Sequence, residues 1–347
     1  WPRLPAYLIC WFAQRTDMRT LEGLEARLLV DLLRDRSRPQ KSLGQHFLVD
    51  EGAIERPISM ATEQQSPLGD ASHVFEVGPG PGSLTLSLLR TKARVTAMEV
   101  DEEAVEHLER VFGGRECNLE VILDDAVSSK WPSGVTHVIS NLPYQISSPI
   151  IERIRDYHSK NPIVAAILLV QEEFANRMAM SSMPYDIGPL GLNLWLDFDV
   201  SLDIKVPPSS FSPSPKVNSR LVSLLPRKRP EAEDLDKPMF RMVTKHCFSN
   251  RRRKLRNLLS KNPSRISRIP GWHKDRWQKT LSRVIESEID GTDIDELVDW
   301  IGAFKDGVCV GSWPWVGEYT TIPVMGDDGS DYTQGYMNND DIPEFLI

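Results

Sequence analysis

The feature that most constrains the fold is a glycine-rich turn between a predicted strand and a predicted helix. Residues 72–77 form a mainly apolar stretch, Gly78-Pro79-Gly80-Pro81-Gly82 follows, and a helix is predicted from Ser83. Strand, glycine turn and helix together are typical of nucleotide-binding α/β folds, because glycines let the backbone approach a ligand closely. The spacing excludes a Walker loop, since no Gly-Lys-Ser/Thr follows, and it disfavours a dinucleotide site. By itself such a turn is also compatible with a purely structural role.

Strand and helix patterns alternate from residue 72 to residue 225. Apolar runs predict strands at 72–77, 94–99, 119–123, 135–139, 163–170, 198–206 and 218–225. Helices are predicted between them at 84–89, 101–112, 147–157 and 171–180, and before them at 21–34. This alternation predicts an α/β fold with a mostly parallel sheet covered by helices. After Pro230 only helical patterns recur, at 240–248, 251–259, 275–284 and 293–304, which predicts a small all-α domain.

Polar residues follow three of these strands, at the edge where open α/β sheets bind their ligands. Glu99 closes the second strand, where an acid commonly binds ribose hydroxyls. Asp125 follows the third strand and could accept from an adenine amino group, although a helix N-cap or a loop acid is the plainer alternative. Asn141-Leu142-Pro143-Tyr144 follows the fourth, where Asn offers a donor and an acceptor and Tyr a stacking face. This stretch predicts a binding site for a flat polar ring.

The formal net charge of −8 hides two regions of opposite sign. Between Glu286 and Ile347 there are 15 acidic residues and one lysine, whereas Lys245 to Lys261 holds seven Lys or Arg and no acid. Most of those cations are clustered, and they would repel one another unless a polyanion is near. The pattern therefore predicts a basic stretch that binds nucleic acid, followed by an acidic tail. A solvated helical face is the alternative for the basic stretch.

The numbers and spacing of cysteines and histidines indicate whether disulfides or metal sites are expected. The four cysteines form no CxxC pair, which argues against a zinc site and a disulfide framework and favours a reducing, cytoplasmic compartment. The seven histidines form no HExxH or similar cluster, so no metal is expected. The apolar run Leu4–Ala13 is too short to cross a membrane. We expect a monomer that does not bind membranes.

Eight stretches occur in the order that is typical of one enzyme family. They are KSLGQHFL (41–48), FEVGPGPGSLT (75–85), MEVD (98–101), DDA (124–126), SNLPYQISSPII (140–151), LLVQEEFANRM (168–178), VPPSSFSPSPKVNS (206–219) and CFSNRRRKLRN (247–257). With them the chain resembles the small-subunit ribosomal RNA adenine N6-dimethyltransferases of the KsgA type, over roughly residues 40–260. His46 departs from the Asn that is common in bacterial members.

The resemblance implies a class I methyltransferase fold, Rossmann-like and doubly wound, with S-adenosylmethionine as methyl donor. It also implies conversion of adenosines near the 3′ end of small-subunit rRNA, within the immature 30S/40S-type subunit, to N6,N6-dimethyladenosine. The residues it implies at the cofactor are Gln45, His46 and Leu48 at the methionine end, Gly78, Gly80 and Gly82 beneath the amino-acid part, Glu99 at the ribose, Asp125 at the adenine, and Asn141. Asn141, Leu142, Pro143 and Tyr144 would receive the target base, between the rings of Tyr144 and Phe211.

RNA contacts are expected from the basic stretch, namely from Arg251, Arg252, Arg253, Lys254 and Arg256, together with Lys245 and Arg220. The expected domains are an N-terminal extension (1–37), the methyltransferase domain (38–228), a helical RNA-binding domain (229–305) and an acidic flexible tail (306–347).

The expected mechanism needs neither a metal nor a covalent intermediate, because a sulfonium already activates the methyl group. The acceptor amine is a poor nucleophile, so an oxygen of Asn141 and the backbone carbonyl of Leu142 or Pro143 are expected to hydrogen-bond it. Two alternatives stay open. One is an adenine N6-methyltransferase that acts on DNA through a related Asn/Asp-Pro-Pro-Tyr motif, and the other is a ribosome-assembly factor whose methylation is incidental or lost.

Overall fold

The computed structural model describes residues 21–36, 45–182, 186–232, 235–250, 300–305, 308–314 and 344–346. Its α-helices are α1 (Ala26–Arg34), α2 (Glu51–Glu63), α3 (Ser83–Arg90), α4 (Glu102–Phe112), α5 (Ser147–His158), α6 (Glu172–Ala179), α7 (Pro189–Trp195) and α8 (Lys237–Cys247). Its strands are β1 (Phe47–Leu48), β2 (His73–Val77), β3 (Arg94–Glu99), β4 (Leu119–Leu123), β5 (His137–Asn141), β6 (Ala165–Gln171), β7 (Phe198–Val206), β8 (Phe211–Ser212), β9 (Ser219–Pro226), β10 (Trp300–Lys305), β11 (Val308–Pro314) and β12 (Glu344–Leu346).

A seven-stranded sheet forms the centre of the first part of the chain, in the order β4-β3-β2-β5-β6-β9-β7. Strands β2 to β6 run parallel, whereas β9 pairs antiparallel with β6 and β7 pairs antiparallel with β9. The mostly parallel sheet predicted from the alternation of strands and helices is therefore confirmed. β6 is buried from Ala165 to Val170, as expected for a wholly apolar central strand.

The strand order creates a topological switch point beside β2. From β2 the chain moves outward through β3 to β4, and it then returns to β5 on the other side of β2. The carboxyl ends of β2 and β5 therefore flank a crevice, which is where open α/β sheets bind their ligands. Gly78 follows β2 directly, and Asn141 is the last residue of β5.

Helix α1 belongs to the core of this part of the chain, although its residues precede the stretch that resembles the family. Leu29, Val30 and Leu33 are buried, whereas Leu28 on its outer face is 37% exposed. Val30 and Leu33 pack with Phe47 of β1. The helix predicted at 21–34 is therefore confirmed between Ala26 and Arg34, and its apolar period reflects packing against the sheet unit.

The sequence patterns did not predict helix α2 or the pairing of β1 with β8. Asp50 caps α2 by accepting a hydrogen bond from the Ala53 backbone, and Pro57 lies inside the helix. β1 and β8 are two residues long each and pair antiparallel, with Leu48 opposite Phe211. Strands this short carry no recognisable period, so the pairing depends on the fold and not on local sequence.

The described residues form two compact units. The first comprises the residues up to Ala179 and from Asp197 to Lys228, and it contains the seven-stranded sheet. In the second, α7 packs against α8, and three antiparallel strands form a sheet in the order β11-β10-β12. Within the described part of the chain, no helix is long and apolar enough to cross a membrane.

The strands of the second unit correct two predictions. The helix predicted at 293–304 is wrong from Trp300 onward, because Trp300–Lys305 is a strand paired with Val308–Pro314. The all-α domain and the flexible tail predicted here therefore contain a sheet. The spacing of apolar residues along a helix contains no information about pairing with another strand. The sequence signal for this pairing is the dipeptide Asp306-Gly307, which is frequent in hairpins and lies between the two strands in the sequence. The helices predicted at 251–259 and 275–284 lie outside the described residues, and the bounds of the four domains stay predictions.

Candidate active site

A cavity of about 260 Å³ lies at the carboxyl ends of β2, β3 and β5. It brings together Gln45, His46, Leu48, Gly78, Gly80, Glu99, Asp125, Asn141, Leu142, Pro143, Tyr144 and Phe211. Gly82, the remaining predicted cofactor residue, does not line it. Gly82 is instead the N-cap of α3, where a Cβ would lie 2.8 Å from the side chains of Leu108 and Phe112. Its role is therefore to let α3 pack closely against α4.

Two glycines of the turn face neighbours that leave little room for a side chain. Gly80 has a φ of +53°, and a Cβ there would lie 3.1 Å from the Phe47 ring. Gly78 has a φ of +67°, and a Cβ there would lie 3.4 Å from the Pro143 ring. This left-handed conformation disfavours other residues at both positions. The glycine turn thus packs directly against the stretch that holds Asn141.

The backbone around Glu99 fixes its carboxylate. The carboxylate accepts hydrogen bonds from the backbone N–H groups of Gly80 at 3.0 Å, Val100 at 2.9 Å and Asp101 at 3.1 Å. Glu99 is 6% exposed, and this burial raises its pKa, an effect that the three backbone hydrogen bonds oppose. The bond from Gly80 links the end of β3 to the glycine turn.

Asp125 and Gln45 line the cavity and also make protein contacts. The Asp125 carboxylate accepts from the Val127 backbone at 2.8 Å and from the Ser128 hydroxyl at 3.0 Å, which is the local loop role that the sequence left open. Gln45 donates from Nε2 to Asp101 at 2.8 Å. A carboxylate has about four lone-pair sites, so these local bonds leave Asp125 able to accept from a ligand.

The side chain of Asn141 has a defined orientation. Its amide nitrogen Nδ2 donates to the backbone carbonyl of His46 at 3.3 Å, which connects β5 with the loop before β1. Among the described residues, none donates to its oxygen Oδ1. This bond fixes the orientation of the amide, and Oδ1 is the acceptor that the side chain leaves for a ligand.

The two backbone carbonyls next to Asn141 differ in their partners. The Pro143 carbonyl accepts from the Ile146 backbone at 3.1 Å and from the Ser147 hydroxyl at 3.3 Å. No such bond engages the Leu142 carbonyl within the described part of the chain. Of the two carbonyls that the sequence suggested, that of Leu142 is therefore the one left for a ligand.

Hydrogen bonding and stacking hold the Tyr144 ring. Its hydroxyl lies 2.7 Å from the hydroxyl of the buried Ser219 on β9, and burial raises the pKa of Tyr144. The ring stacks on His46 with the centroids 5.7 Å apart. His46 Nδ1 lies 2.9 Å from the Pro213 carbonyl oxygen, so this nitrogen is the donor. The ring of Tyr144 is thus positioned from β9 and from the loop before β1.

Phe211 reaches the same cavity through the pairing of β8 with β1. The backbone N–H of Val49 extends this pairing by donating to the Ser210 carbonyl at 2.9 Å. Phe211 is 4% exposed, so most of its ring is covered by the protein. Tyr144 and Phe211 belong to one lining, and their contact with opposite faces of one base stays a prediction.

Glu76 is a functional candidate that the sequence analysis did not single out. It lines the cavity, is 1% exposed and accepts at Oε2 from the Thr85 hydroxyl at 2.7 Å. Burial raises its pKa to about 8, with the charge of Glu99 adding to the rise and the Thr85 bond opposing it. The signal that could have found it is a charged residue inside a mainly apolar stretch, two positions before Gly78.

The predicted RNA-binding residues are described only in part. Arg220 is half-buried on β9 and donates from Nε to the Asp203 carbonyl at 3.0 Å. Lys245 is exposed in the last turn of α8. The cluster at 251–256 lies outside the described residues. Where side chains are described, no group of three or more His, Cys, Asp or Glu could hold a metal ion.

The residues that form this site lie within a stretch of sequence that matches a known enzyme family. The family described as ribosomal RNA adenine dimethylase matches residues 36–269. The chain belongs to this family. It is therefore an enzyme that methylates adenine in ribosomal RNA, and the predicted resemblance is confirmed. The match starts within two residues of the end of α1, so that helix precedes the family region.

Proteins similar to this dimethylase come from archaea and bacteria. A protein of Methanococcus maripaludis, "Probable ribosomal RNA small subunit methyltransferase A", is 34% identical over 257 residues, covering 74% of this chain and 92% of the relative. A protein of Thiobacillus denitrificans, "Ribosomal RNA small subunit methyltransferase A", is 32% identical over 231 residues, covering 64% of this chain and 84% of the relative.

Two solved structures share the fold of the dimethylase. A dimethyladenosine transferase from Plasmodium falciparum superposes with a TM-score of 0.56 at 25% identity, covering 69% of this chain and 89% of that one. The 23S rRNA methyltransferase ErmE superposes with a TM-score of 0.51 at 26% identity, covering 69% of this chain and 99% of that one. The fold is thus that of class I methyltransferases, as predicted.

Proposed function

We propose that this dimethylase transfers methyl groups from S-adenosylmethionine to N6 of adenosines near the 3′ end of small-subunit rRNA, giving N6,N6-dimethyladenosine. The observation that carries the proposal is the cavity where the glycine turn, Glu99 and the stretch from Asn141 to Tyr144 lie together. Glu76, Asp124 and Asp125 add acids, and the described lining contains no Lys or Arg. Such a lining suits a cationic ligand and disfavours a phosphate.

The residues of the cavity fit the parts of this donor. S-adenosylmethionine, when bound, supplies a methyl group on a positively charged sulfur. We assign the Glu99 carboxylate to the ribose hydroxyls and Asp125 to the adenine amino group. The backbone of the glycine turn would approach the amino-acid part, with Gln45, His46, Leu48 and Asn141 completing the methionine end. Gly82 supports this site only indirectly, through the packing of α3.

The acceptor amine would bind at Asn141 Oδ1 and the Leu142 carbonyl, the two acceptors that the protein leaves available. Their hydrogen bonds would turn the nitrogen lone pair away from the adenine ring and toward the methyl group. They would also stabilise the positive charge that develops on this nitrogen during transfer. Fixed alignment of amine and donor contributes to the rate in addition.

The target base must leave its stack to reach the cavity. The rings of Tyr144 and Phe211 would replace the lost stacking, and base–aromatic stacking is worth about 1–3 kcal/mol per base. Tyr144 is well suited to this role because Ser219 and His46 hold its ring.

Cationic residues at 251–256, with Lys245 and Arg220, would bind the RNA backbone. The partner is the immature 30S/40S-type subunit, and the expected place of action is the cytoplasm.

Methylation of immature small subunits tests the proposal directly. The enzyme is incubated with the subunits and isotope-labelled S-adenosylmethionine, and the rRNA nucleosides are then analysed by mass spectrometry. We expect N6,N6-dimethyladenosine from a short segment near the 3′ end of small-subunit rRNA. Product that stays at the monomethyl stage, transfer to DNA instead, or modification of 23S-type rRNA, the substrate in the name of ErmE, would each contradict the proposal.

The substitution Asn141→Ala tests the acceptor site. We expect kcat to fall by about 10²–10³, as when a single stabilising hydrogen bond is removed from a transition state, whereas the donor still binds through the remaining residues assigned to it. Single-turnover methylation measures the rate, and calorimetry measures donor binding. Asn161→Ala, at an exposed position after α5, is the matched control and should keep full activity. Full activity in Asn141→Ala would refute the role assigned to Asn141.

A further inference from the structure

Glu76 differs from the other acids of the cavity in how little the protein compensates its charge. Three backbone N–H groups donate to Glu99. Glu76 is the more buried of the two, and one hydroxyl, that of Thr85 on α3, donates to it. A buried carboxylate with a single neutral donor is costly, because desolvation favours the protonated form.

The groups around Glu76 increase this cost and do not relieve it. Glu99, at the end of the neighbouring strand β3, carries a charge of the same sign. The other ionisable groups of the described lining are His46, Asp124, Asp125 and Tyr144, and the lining includes no Lys or Arg. Burial and the Glu99 charge accordingly raise the pKa of Glu76 to about 8. The carboxyl thus faces a cavity in which its natural counter-charge would have to be a ligand.

We propose that Glu76 is protonated in the free enzyme and releases its proton to solvent when the positively charged end of the methyl donor enters the cavity. The inference rests on the proposed function, because it takes S-adenosylmethionine as the ligand. One O–H bond of the carboxyl breaks, its proton goes to the buffer, and the carboxylate that remains pairs with the cation. Glu76 then makes the affinity for the donor depend on pH and on the positive charge of the ligand.

Two positive groups of the donor could carry this effect, the ammonium and the sulfonium. The product S-adenosylhomocysteine keeps the ammonium and lacks the sulfonium charge. If the sulfonium is the partner, Glu76 favours the donor over the product and helps the product to leave. If the ammonium is the partner, both ligands displace the proton equally, and Glu76 strengthens the binding of each.

Calorimetric titration of the full chain counts the protons released. S-adenosylmethionine and S-adenosylhomocysteine are titrated at pH 7 in buffers of different ionisation enthalpy. We expect about one proton to be released per bound donor, and the donor Kd to fall about tenfold from pH 6 to pH 7 before levelling above pH 8. Glu76→Gln, which keeps an acceptor for Thr85, should abolish the proton release and flatten the pH dependence. Asp124→Asn removes an exposed acid of the same lining and should leave the proton count unchanged.

The outcomes separate this inference from the proposed function. Proton release with both ligands identifies the ammonium as partner, and release with the donor alone identifies the sulfonium. Donor binding and RNA methylation without proton release, together with a pH-independent Kd, would overturn the inference and leave the proposed function standing. Absence of donor binding would overturn both. The wild-type measurements suffice for this decision if Glu76→Gln does not fold, which a thermal melt reports.

Discussion

At the residue scale, the acceptor site depends on how the Tyr144 ring is held. The hydrogen bond between Tyr144 and Ser219 is buried at its β9 end, where Ser219 is fully covered. Tyr144→Phe and Ser219→Ala each remove it and keep the ring. We expect each variant to lower kcat/KM for RNA about 3- to 10-fold, because a neutral hydrogen bond is worth about 0.5–1.5 kcal/mol. Steady-state kinetics on immature subunits measures this loss.

The double variant makes the role of this bond specific. If Ser219 acts through Tyr144, the double variant Tyr144→Phe with Ser219→Ala should have a kcat/KM no lower than that of the less active single variant. Ser210→Ala removes another buried hydroxyl, one that bonds Asp50 instead of Tyr144, and it serves as the control. Fully additive losses in the double variant would show that the two hydroxyls act independently.

At the element scale, helix α1 is predicted to stabilise the enzyme although it precedes the family region. Leu29 is completely buried, and its neighbour Leu28 is 37% exposed on the same helix. Leu29→Ala should lower the free energy of unfolding by about 2–4 kcal/mol, because it removes buried methylene groups and leaves a cavity. Leu28→Ala is the matched control and should cost under about 1 kcal/mol. Urea denaturation measures both values, and equal losses would contradict the assignment of α1 to the core.

The elements also show how far local sequence determines this fold. The strands from β2 to β9 that have five or more residues were predicted from their apolar residues, and the acids and amide that end them followed from position. The pairing of β1 with β8, which brings Phe211 to the cavity, was not predicted, since two-residue strands have no period. The choice between the Leu142 and Pro143 carbonyls also needed the fold, because their partners come from the turn that follows.

At the scale of the whole molecule, buried ionisable groups set how stability depends on pH. Burial lowers the pKa of His107 to about 4, and it also lowers the pKa values of His73 and His137. Each histidine therefore binds fewer protons in the folded state, and its contribution to stability is full above pH 6.5 and lost as the pH falls. Glu76 and Glu99 have raised pKa values and bind more protons when folded, so their contribution is lost as the pH rises above 4.5.

Among the groups that the structure describes, these two sets oppose each other below pH 6.5, and the acids act alone between pH 6.5 and pH 8. The cofactor-free enzyme should therefore lose stability from pH 6.5 to pH 8, at about 1.4 kcal/mol per pH unit for each group that is still protonated. Urea denaturation across this range measures the decline. Glu76→Gln should remove most of it, because the amide does not ionise, whereas Asp124→Asn should leave it intact since the pKa of that exposed acid is lowered. A wild-type stability that is constant or rises from pH 6.5 to pH 8 would mean that Glu76 is already ionised in the folded enzyme, and the carboxyl would then need a counter-charge from the protein itself.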